Sequence, residues 1–523
     1  MTRGKTAVAL DLPRPAALAA ETPQAKGAAI AAALRAAIVD GRLACGSPLP
    51  SSRTLAARWG VARGTVEASF DRLRAEGYVV RVQGAGTRVS AVLPDDCVAA
   101  SAPPDHAPAQ SSGGIPGTCV PAQRAPSSAA GAPTACASPA AVDAHEPAVR
   151  AGVPFVARLA DAALLPRAAW RRHLLAGLRA GDGADAADGA DAGSAPAEGL
   201  PALRRQIARY LGAHRGIACT PDDVIVTTGI RHALDLFARV TLRPGATVLV
   251  EDPGYPGARQ LFALAGAEVV DVPVDRDGID TDALTAHAGA AAVYVTPAHQ
   301  SPLGVTLTPA RRRALLDWAR ATDAWIVEDD YDGEFGYLAA PLPALKALDA
   351  HGRVVYCGSF NKSLFSGLRI GFMVAPPALR AALAALLQLT GRAAGLHEQR
   401  ALAGFIEAGD FARHLRTSRQ AYLQRRDAIL DQLRRHAPGR WTATGEHAGF
   451  HFVLWLAPDA DAADLARRGA ALGLRLQPLG ALCRTARPAP AVVIGYTALT
   501  PAQARHAGRL LAQLLAPAPA AVP

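Results

Sequence analysis

Four short apolar runs, each followed at once by polar residues, constrain the fold of this chain more than any other feature. They occupy residues 224–226, 248–250, 293–295 and 326–327. Short apolar runs bounded by turn residues predict buried strands. Strands that alternate with helices form a mostly parallel sheet, and open α/β sheets bind ligands at the carboxyl ends of their strands. The polar residues that follow the runs are therefore candidate site residues.

Lys362 is one of only four lysines, whereas 51 of the 55 basic residues are arginines. A lysine amine can form a Schiff base once its pKa is lowered, and an arginine cannot. Nearby are the hydroxyl of Ser359, the amide of Asn361 and, seven residues later, Arg369. A Schiff-base lysine with hydroxyls and an arginine for a phosphate predicts pyridoxal 5'-phosphate (PLP). Taken alone, the segment also fits a surface lysine on a loop.

Carboxylates follow the apolar run at residues 326–327. A PLP ring needs a carboxylate beside its pyridine nitrogen to keep that nitrogen protonated, and a donor for its phenolate oxygen. We assign the first role to Asp329 and the second to Tyr331. For Asp330, Asp332 and Glu334 we expect a solvated loop instead.

The turn after the run at residues 224–226 leads into a helical segment. Backbone N–H groups at the start of a helix bind phosphate, so Thr228, Gly229 and Ile230 are predicted to form a phosphate cup. Many strand-to-helix turns look the same, and this signal is weak alone. Tyr255, in the turn after residues 248–250, fits stacking on the cofactor ring and fits a packing role equally well.

The order and spacing of these motifs, from about residue 200 to 374, resemble a fold-type I aminotransferase domain. The phrases EDPGYPGAR, VTPAHQSPLG, EDDYDGEF and GSFNKSLFSGLRIGF resemble one branch of it, the MocR-type subgroup of the GntR family of bacterial regulators. The resemblance implies an α/β chain with an N-terminal winged helix-turn-helix, a long linker, a PLP-dependent large domain and a smaller C-terminal α+β domain. It also implies a head-to-tail homodimer that shares the site between subunits.

The amino-terminal part has the pattern of a DNA-binding domain. Residues 25–39 form an amphipathic helix with Ile30, Leu34 and Ile38 on one face, and Ser51 or Ser52 caps the next helix. A short turn leads into a second helix, and residues 78–82 and 87–89 form a hairpin. This arrangement resembles the winged helix-turn-helix of the GntR family throughout residues 25–92.

The second helix of such a domain enters the major groove with its first residues at the bases. Arg53 would bind a phosphate or a base edge, and Gly86 would let the wing approach the DNA backbone. The predicted DNA-binding residues are Ser52, Arg53, Arg63, Gly64, Thr65 and Gly86. Residues 1–92 carry 13 basic and 6 acidic residues, a net charge of +7 out of +10 for the chain. This asymmetry favours a polyanion partner, although it also fits an arginine-rich surface.

Composition divides the 523 residues into three parts. Residues 23–92 are predicted to be the winged domain, and residues 93–149, rich in Pro, Ala, Ser and Gly, a linker. Residues 150–516 are predicted to be the PLP-binding domain, with a large part at about 153–374 and a small part at about 375–516. Strands are expected in the small part at residues 449–456 and 492–496.

The seven cysteines are scattered and match no zinc-binding spacing. We predict reduced thiols and no metal site. The sequence has no signal peptide and no apolar run of membrane-spanning length. We therefore expect a cytoplasmic protein associated with the nucleoid and without membrane contact.

Three departures from the aminotransferase pattern affect the site. Ser301 stands where these enzymes carry an asparagine that contacts the PLP phenolate, and His299 or Gln300 is expected to compensate. The stretch 182–191 is acidic and lacks the tyrosine that reaches the partner's phosphate. Pro490 occupies the best match for the arginine that binds a substrate carboxylate. Alternatives for that arginine are Arg475, Arg484 and Arg487.

These features predict a transcription regulator that senses PLP, a small amine or an amino acid through an aldimine on Lys362. Its DNA target would be a promoter with direct or inverted repeats, at genes of vitamin B6 or amino-compound metabolism. Lys362, Asp329 and Tyr331 would carry the cofactor chemistry, without efficient turnover. The alternative is an active aminotransferase with an accessory DNA-binding domain. A weaker alternative, a PLP-independent DNA-binding protein, is disfavoured by Lys362 and Asp329.

Overall fold

The computed structural model describes residues 47–75, 79–82, 86–89, 153–179, 196–337, 343–391 and 393–516, with single positions between 26 and 43. The predicted linker at 93–149, the acidic stretch 182–191 and the hairpin tip at 83–85 lie outside the described residues.

The amino-terminal part contains α1 (Ser52–Trp59), α2 (Arg63–Ala75), β1 (Val79–Val82) and β2 (Gly86–Val89). Ser51 caps α1, since its side chain accepts a hydrogen bond from the Thr54 N–H. The two strands pair antiparallel as a hairpin. The side chains of Ile30, Leu34 and Ile38 are buried in one apolar cluster with residues of both helices. The predicted helix-turn-helix with a hairpin is confirmed.

The larger sheet follows the predicted alternation of strands and helices, and its strands β3, β4, β7 and β8 coincide with the four apolar runs. The strands are β3 (Val224–Thr227), β4 (Thr247–Asp252), β5 (Glu268–Asp275), β6 (Gly278–Ile279), β7 (Ala292–Val295), β8 (Trp325–Asp330), β9 (Val354–Ser359) and β10 (Gly371–Val374). Within the described residues their order is β3-β10-β9-β8-β7-β4-β5-β6. The five strands from β9 to β5 are mutually parallel, and β10 runs antiparallel between β3 and β9.

Helices cover both faces of this sheet, and some of them pack on one face of a second sheet. They are α3 (Arg167–Arg179), α4 (Pro201–Arg215), α5 (Ile230–Thr241), α6 (Pro256–Leu264), α7 (Pro309–Thr322), α8 (Phe360–Ser363), α9 (Pro377–Thr390), α10 (Leu396–Glu407), α11 (Asp410–His436), α12 (Ala462–Ala471) and α13 (Pro501–Leu515). Successive residues of β8 show why both faces must be covered. Val327 packs in a cluster with residues of α5, α6 and α9, and Ile326 packs in another with Leu315 and Trp318 of α7.

The second sheet is antiparallel and has the order β11-β12-β14-β13 in the described part of the chain. Its strands are β11 (Thr442–Thr444), β12 (His451–Trp455), β13 (Gln477–Pro478) and β14 (Ala491–Gly495). β12 and β14 match the two strands expected here. None of the helices among the described residues combines the length and the apolar character needed to cross a membrane.

Strand register places the candidate residues at one sheet edge. Asp329 on β8 is level with Cys357 on β9, and β9 ends two residues later at Ser359. The antiparallel strand β10 begins at Gly371, which pairs with both Ser359 and Thr227. The carboxyl ends of β3, β8 and β9 therefore meet around the start of β10.

Candidate functional site

A cavity of about 240 Å³ lies at this sheet edge. It is lined by nine of the residues that the sequence predicted for cofactor binding and chemistry: Gly229, Ile230, Tyr255, Asp329, Tyr331, Ser359, Asn361, Lys362 and Arg369. Ser301, at the position of the family's asparagine, lines it as well. Segments up to 140 residues apart in sequence are thus brought together at one site.

Lys362 lies in the one-turn helix α8, directly after β9. The side chain of Ser359 caps this helix by accepting a hydrogen bond from the Asn361 N–H at 3.2 Å. The Lys362 amine is half-buried and donates a hydrogen bond to the backbone carbonyl of Arg158 at 2.6 Å. The amine is thereby held at the cavity wall, where an aldehyde could react with it.

Asp329 is buried, with 4% of its surface exposed. Its Oδ2 accepts a hydrogen bond from the Tyr294 hydroxyl at 2.5 Å, and its Oδ1 has no hydrogen-bond partner among the described residues. Burial disfavours the charged form and raises the pKa of Asp329 to about 7. A buried carboxylate with one unsatisfied oxygen fits a protonated pyridine nitrogen, which would satisfy that oxygen and favour its ionisation.

The end of the cavity that is predicted to bind the phosphate is built by close packing around Gly229. Gly229 has φ 130° and ψ 179°, a conformation that favours glycine, and helix α5 begins at the next residue. A Cβ on Gly229 would lie 2.7 Å from the Asn361 amide nitrogen, and a Cβ on Gly371 would lie 2.7 Å from the Gly229 Cα. The amino-terminal end of α5 borders the cavity, and such an end attracts phosphate.

Two more residues predicted to bind the phosphate, Arg369 and Thr228, are placed differently. Arg369 is exposed, lines the cavity and adopts a left-handed backbone with φ 54°. The Thr228 N–H donates to the His232 ring at 3.1 Å, and Thr228 lines an adjoining cavity together with Arg231 and Arg369. Gly229, Ile230 and Arg369 thus line the main cavity and Thr228 lines the adjoining one, and the role of all four in phosphate binding stays a prediction.

The acidic residues after Asp329 do not form a solvated loop. That prediction is wrong for Asp330 and Asp332, which are 5% and 1% exposed, and Glu334 is only half-exposed. Asp330 pairs with the buried Arg215 at 2.5 Å and accepts a hydrogen bond from the Tyr356 hydroxyl at 2.6 Å. Both partners contact Oδ2 and partly compensate the loss of water around this carboxylate, so Asp330 supports the fold beneath the site.

Asp332 and Glu334 are engaged in the same way. Asp332 lies 2.9 Å from the His299 Nδ1, and Glu334 accepts a hydrogen bond from the Tyr210 hydroxyl at 3.1 Å. Burial disfavours the charged imidazole, but the Asp332 carboxylate outweighs burial and raises the pKa of His299 above its ordinary value. The sequence missed these partners because each is more than 30 residues away.

Tyr331 lines the cavity, and its hydroxyl donates to the backbone carbonyl of His299 at 2.9 Å. His299 and Gln300, expected to compensate for Ser301, point elsewhere. The imidazole of His299 contacts Asp332, and the amide of Gln300 donates to the carbonyl of Pro253 at 2.8 Å. Neither lines the cavity. A cofactor contact from His299 or Gln300 stays a prediction, and Ser301 itself is the better placed of the three.

Sequence reasoning missed Tyr294 and Arg158, both of which line the cavity. Tyr294 sits in an apolar run, where the polar end of a buried tyrosine signals a partner that sequence does not name. Arg158 lies 204 residues before Lys362, and no local pattern marks it. The alternatives Arg475, Arg484 and Arg487 do not line the cavity. Among the described residues, no group of three or more His, Cys, Asp or Glu side chains could hold a metal ion.

Five of the six predicted DNA-binding residues form a surface at the starts of α1 and α2, in which Ser52 and Thr65 are half-buried. Arg53, Arg63 and Gly64 are exposed, and a Cβ on Gly64 would meet nothing within 4 Å. The Arg63 guanidinium pairs with Glu67 at 2.8 Å, and the Ser52 hydroxyl donates to the same carboxylate at 3.2 Å. The starts of the two helices are thereby linked. Thr65 follows on α2, and Gly86 begins β2.

Comparisons with known proteins agree with this division. Residues 170–483 match the family of class I and II aminotransferases, and residues 26–89 match the bacterial regulatory proteins of the gntR family. The Pyrococcus horikoshii kynurenine aminotransferase superposes with a TM-score of 0.63 at 27% identity, over 70% of this chain and 91% of that one. The fold and the site thus define a PLP-dependent, aminotransferase-like domain of fold type I on the same chain as a DNA-binding helix-turn-helix.

Two curated relatives extend over both parts. The probable rhizopine catabolism regulatory protein MocR of Rhizobium meliloti is 34% identical over 473 residues, 90% of each chain. The pyridoxine biosynthesis transcriptional regulator PdxR of Corynebacterium glutamicum is 34% identical over 400 residues, 76% of this chain and 77% of its own length. The chain belongs to the MocR-type subgroup of the GntR family of transcription regulators, and its cofactor is PLP.

Proposed function

We propose that the aminotransferase-like domain senses PLP, a small amine or an amino acid at Lys362 and passes the result to the DNA-binding part. The observation that carries this proposal is the joint presence, in one cavity, of the Lys362 amine, the unsatisfied oxygen of buried Asp329 and the glycine-built end of α5. PLP would supply an aldehyde that exchanges between the lysine and an incoming amine. The protein's own residues would hold and orient PLP and would set the electrostatic environment around it.

The hydrogen bond of the Lys362 amine and two residue replacements favour sensing over catalytic turnover. A working aminotransferase needs its lysine amine to move protons after the substrate has displaced it. Here the backbone carbonyl of Arg158 offers the Lys362 amine a hydrogen bond at 2.6 Å, which would retain the displaced amine at the wall. Ser301 and Pro490 also replace residues that the enzymes use. A bound effector would therefore persist, as suits a regulator.

The DNA-binding part would act as a pair of domains in a head-to-tail homodimer, on direct or inverted repeats. The exposed start of α2, with Arg63 and Gly64, would meet base edges, and the open space beside Gly64 would let DNA approach closely. Target genes in vitamin B6 or amino-compound metabolism suit the cofactor. A protein that binds the genome in this way would work in the bacterial cytoplasm.

The test measures ligand binding and DNA binding on one preparation of the protein. Candidate amines, amino acids and PLP are added to purified protein, while the visible spectrum and the affinity for DNA from its own upstream region are measured. We expect one class of compound to change both, and by thermodynamic linkage DNA must change the affinity for that compound by the same factor. The Lys362→Ala variant should bind DNA without responding.

The competing function is an active aminotransferase with an accessory DNA-binding domain. Its support is the set of Lys362, Asp329 and Tyr331 around one cavity. Rapid, multiple-turnover transamination, together with a DNA affinity that is indifferent to PLP and amines, would establish that alternative and overturn the sensor.

A further inference from the structure

The segment from Val153 to Asp161 crosses from the smaller sheet to the cavity, and both of its ends are fixed. At one end, the Gly495 N–H of β14 donates to the carbonyl of Phe155 at 3.2 Å. At the other, the Asp161 N–H donates to the Tyr422 hydroxyl at 3.0 Å, and its carboxylate pairs with Arg425 at 2.8 Å. The segment is therefore preorganised before any ligand arrives.

Arg158 sits in the middle of this segment with a left-handed backbone, φ 64°. Few residues other than glycine, asparagine or aspartate adopt that conformation, so the anchored segment must impose it. Its carbonyl accepts the hydrogen bond of Lys362, Arg158 is one of the residues that line the cavity, and its positive charge acts on Tyr331, which lines the cavity as well. The Arg158 side chain thus starts next to the carbonyl that holds the Lys362 amine, where a ligand amine would react.

Three arginines line the cavity among the described residues: Arg158, Arg231 and Arg369. Arg231 and Arg369 also line the adjoining cavity beside Thr228, at the phosphate end, and Arg231 donates to the Tyr255 hydroxyl at 2.9 Å. Arg158 does not reach that second cavity. Two of the three cations are therefore placed for the phosphate, and only the third serves the rest of the cavity.

The positive charge of Arg158 also acts on His451, a buried residue outside the cavity lining. The pKa of the buried His451 imidazole lies well below its ordinary value, because burial disfavours the charged ring and the positive charges of His299 and Arg158 add to that effect. Burial and these cations thus favour the neutral form of His451. Arg158 and Lys362 put two positive charges on the cavity lining, which favour an anionic group on a ligand.

Resting on the proposed sensing function, we infer that the Arg158 guanidinium binds the carboxylate of the effector, and that the effector class is amino acids rather than plain amines. An arginine binds a carboxylate through two parallel hydrogen bonds, which fixes orientation as well as affinity. Arg158 would thereby bind the carboxylate in place of the aminotransferase arginine whose position Pro490 occupies here. Arg475, Arg484 and Arg487 lie outside the cavity lining and do not compete for this role.

The experiment uses the full-length holoprotein and pairs of ligands that differ only by a carboxylate. Suitable pairs are glycine with methylamine, β-alanine with ethylamine, 4-aminobutanoate with propylamine and L-norvaline with butylamine. Each is titrated while the visible absorption band is followed, for the wild type and for the variants Arg158→Gln, Arg158→Lys and Arg475→Gln. Arg475 is a matched control because its backbone N–H bonds to Pro154 while its exposed side chain lies outside the cavity lining.

We expect the wild type to bind at least one amino acid about tenfold to a hundredfold more tightly than its paired amine. Arg158→Gln should reduce that ratio toward one, because it weakens amino-acid binding far more than amine binding, and it should keep the Lys362 hydrogen bond, which uses the backbone. Arg158→Lys should retain part of the preference, and Arg475→Gln all of it.

Two results would overturn the inference in different ways. If Arg158→Gln keeps the wild-type preference, the carboxylate is bound elsewhere, and the sensing proposal stands without Arg158. If the wild type gives no spectral change with any member of any pair, the inference is overturned, and the proposed sensing at Lys362 is reduced to PLP itself. An unchanged thermal unfolding midpoint in Arg158→Gln shows that the variant has folded.

Discussion

The exposed surface of α1 and α2 and the cofactor cavity are built by opposite means. In the first, Arg63 is 55% exposed and its ion pair with Glu67 is an ordinary i,i+4 contact. In the second, Asp329 is 4% exposed and sits on a hydrogen-bonded, buried wall. An exposed pair contributes a few tenths of a kcal/mol and exchanges readily for DNA, whereas a buried charge demands a fixed partner. The difference separates a surface that adapts to a macromolecule from a site that is shaped for one cofactor.

The sharpest test of the cavity is the loss of its amine. Lys362→Ala should abolish the visible absorption band of the protein, leaving only PLP that dialysis removes. Lys346→Ala is the matched control, because Lys346 pairs with Asp349 at 2.9 Å and does not line the cavity. A wild-type protein that stays colourless after incubation with PLP would contradict the assignment of Lys362.

Removal of the buried carboxylate should have the next largest effect. Breaking a buried ion pair by removing one partner costs about 3–5 kcal/mol, so Asp329→Ala should weaken PLP retention more than about a hundredfold. Equilibrium dialysis with absorbance measures this loss. Wild-type retention and spectrum in the variant would assign the role to another carboxylate.

The same residue gives a pH dependence with a defined sign. The pKa of Asp329 is raised from 3.8 to about 7 by burial, so the folded protein without cofactor loses stability as the pH rises through that window. A cation beside Asp329, here the protonated pyridine nitrogen of PLP, would stabilise the ionised carboxylate and so prevent this loss of stability. The increase in thermal unfolding midpoint on adding PLP should therefore grow from pH 5 to pH 8, and Asp329→Ala should lose that growth. A wild-type increase that is the same at both pH values would contradict the pairing.

On the α1–α2 surface, Arg63→Ala should weaken specific DNA binding by about 1–3 kcal/mol if Arg63 makes a bidentate base contact. PLP absorbance should not change, because Arg63 is not in the cavity lining. Arg505→Ala, which removes an exposed charge from α13, controls for general electrostatics. Electrophoretic shift on one preparation measures the effect. Intact affinity in Arg63→Ala would mean that another element reads the bases.

The smallest effect is expected at Glu67. Its carboxylate holds Arg63 and Ser52, and an exposed helical pair of this kind contributes about 0.3–0.5 kcal/mol. Glu67→Gln should therefore raise DNA affinity about twofold, by releasing Arg63 and removing a negative charge. Titration by fluorescence anisotropy resolves this difference. Weaker DNA binding in Glu67→Gln would show that the carboxylate orients Arg63 for the bases.

Much of the site was predictable because its residues lie at strand ends. Lys362 and Gly229 lie just beyond a buried strand, Asp329 is the next-to-last residue of another, and parallel strands bring such positions to one edge. The apolar runs and the turn chemistry therefore predicted both the sheet and most of the cavity lining. The helix-turn-helix was predictable for the same reason, because caps and apolar periodicity are local.

The environment of each group was not predictable in the same way. Asp330 looks like a loop residue in sequence, but Arg215 and Tyr356 bury it. His299 and Gln300 look available for a cofactor, but Asp332 and Pro253 engage them. Whether a polar side chain faces water, a ligand or another side chain depends on partners that are distant in the chain.

The sequence by itself determined the chemistry: a scarce lysine, a carboxylate after a strand, glycines at tight turns and an amphipathic DNA-binding helix pair. Those signals are local, since they depend on residue type and on spacing within one element. Only the tertiary structure decided which carboxylates are buried, and that Arg158 reaches the cavity. Arg158 meets Lys362 across 204 residues because strand β14 and helix α11 fix the two ends of the segment that carries it, and no local pattern encodes such a contact.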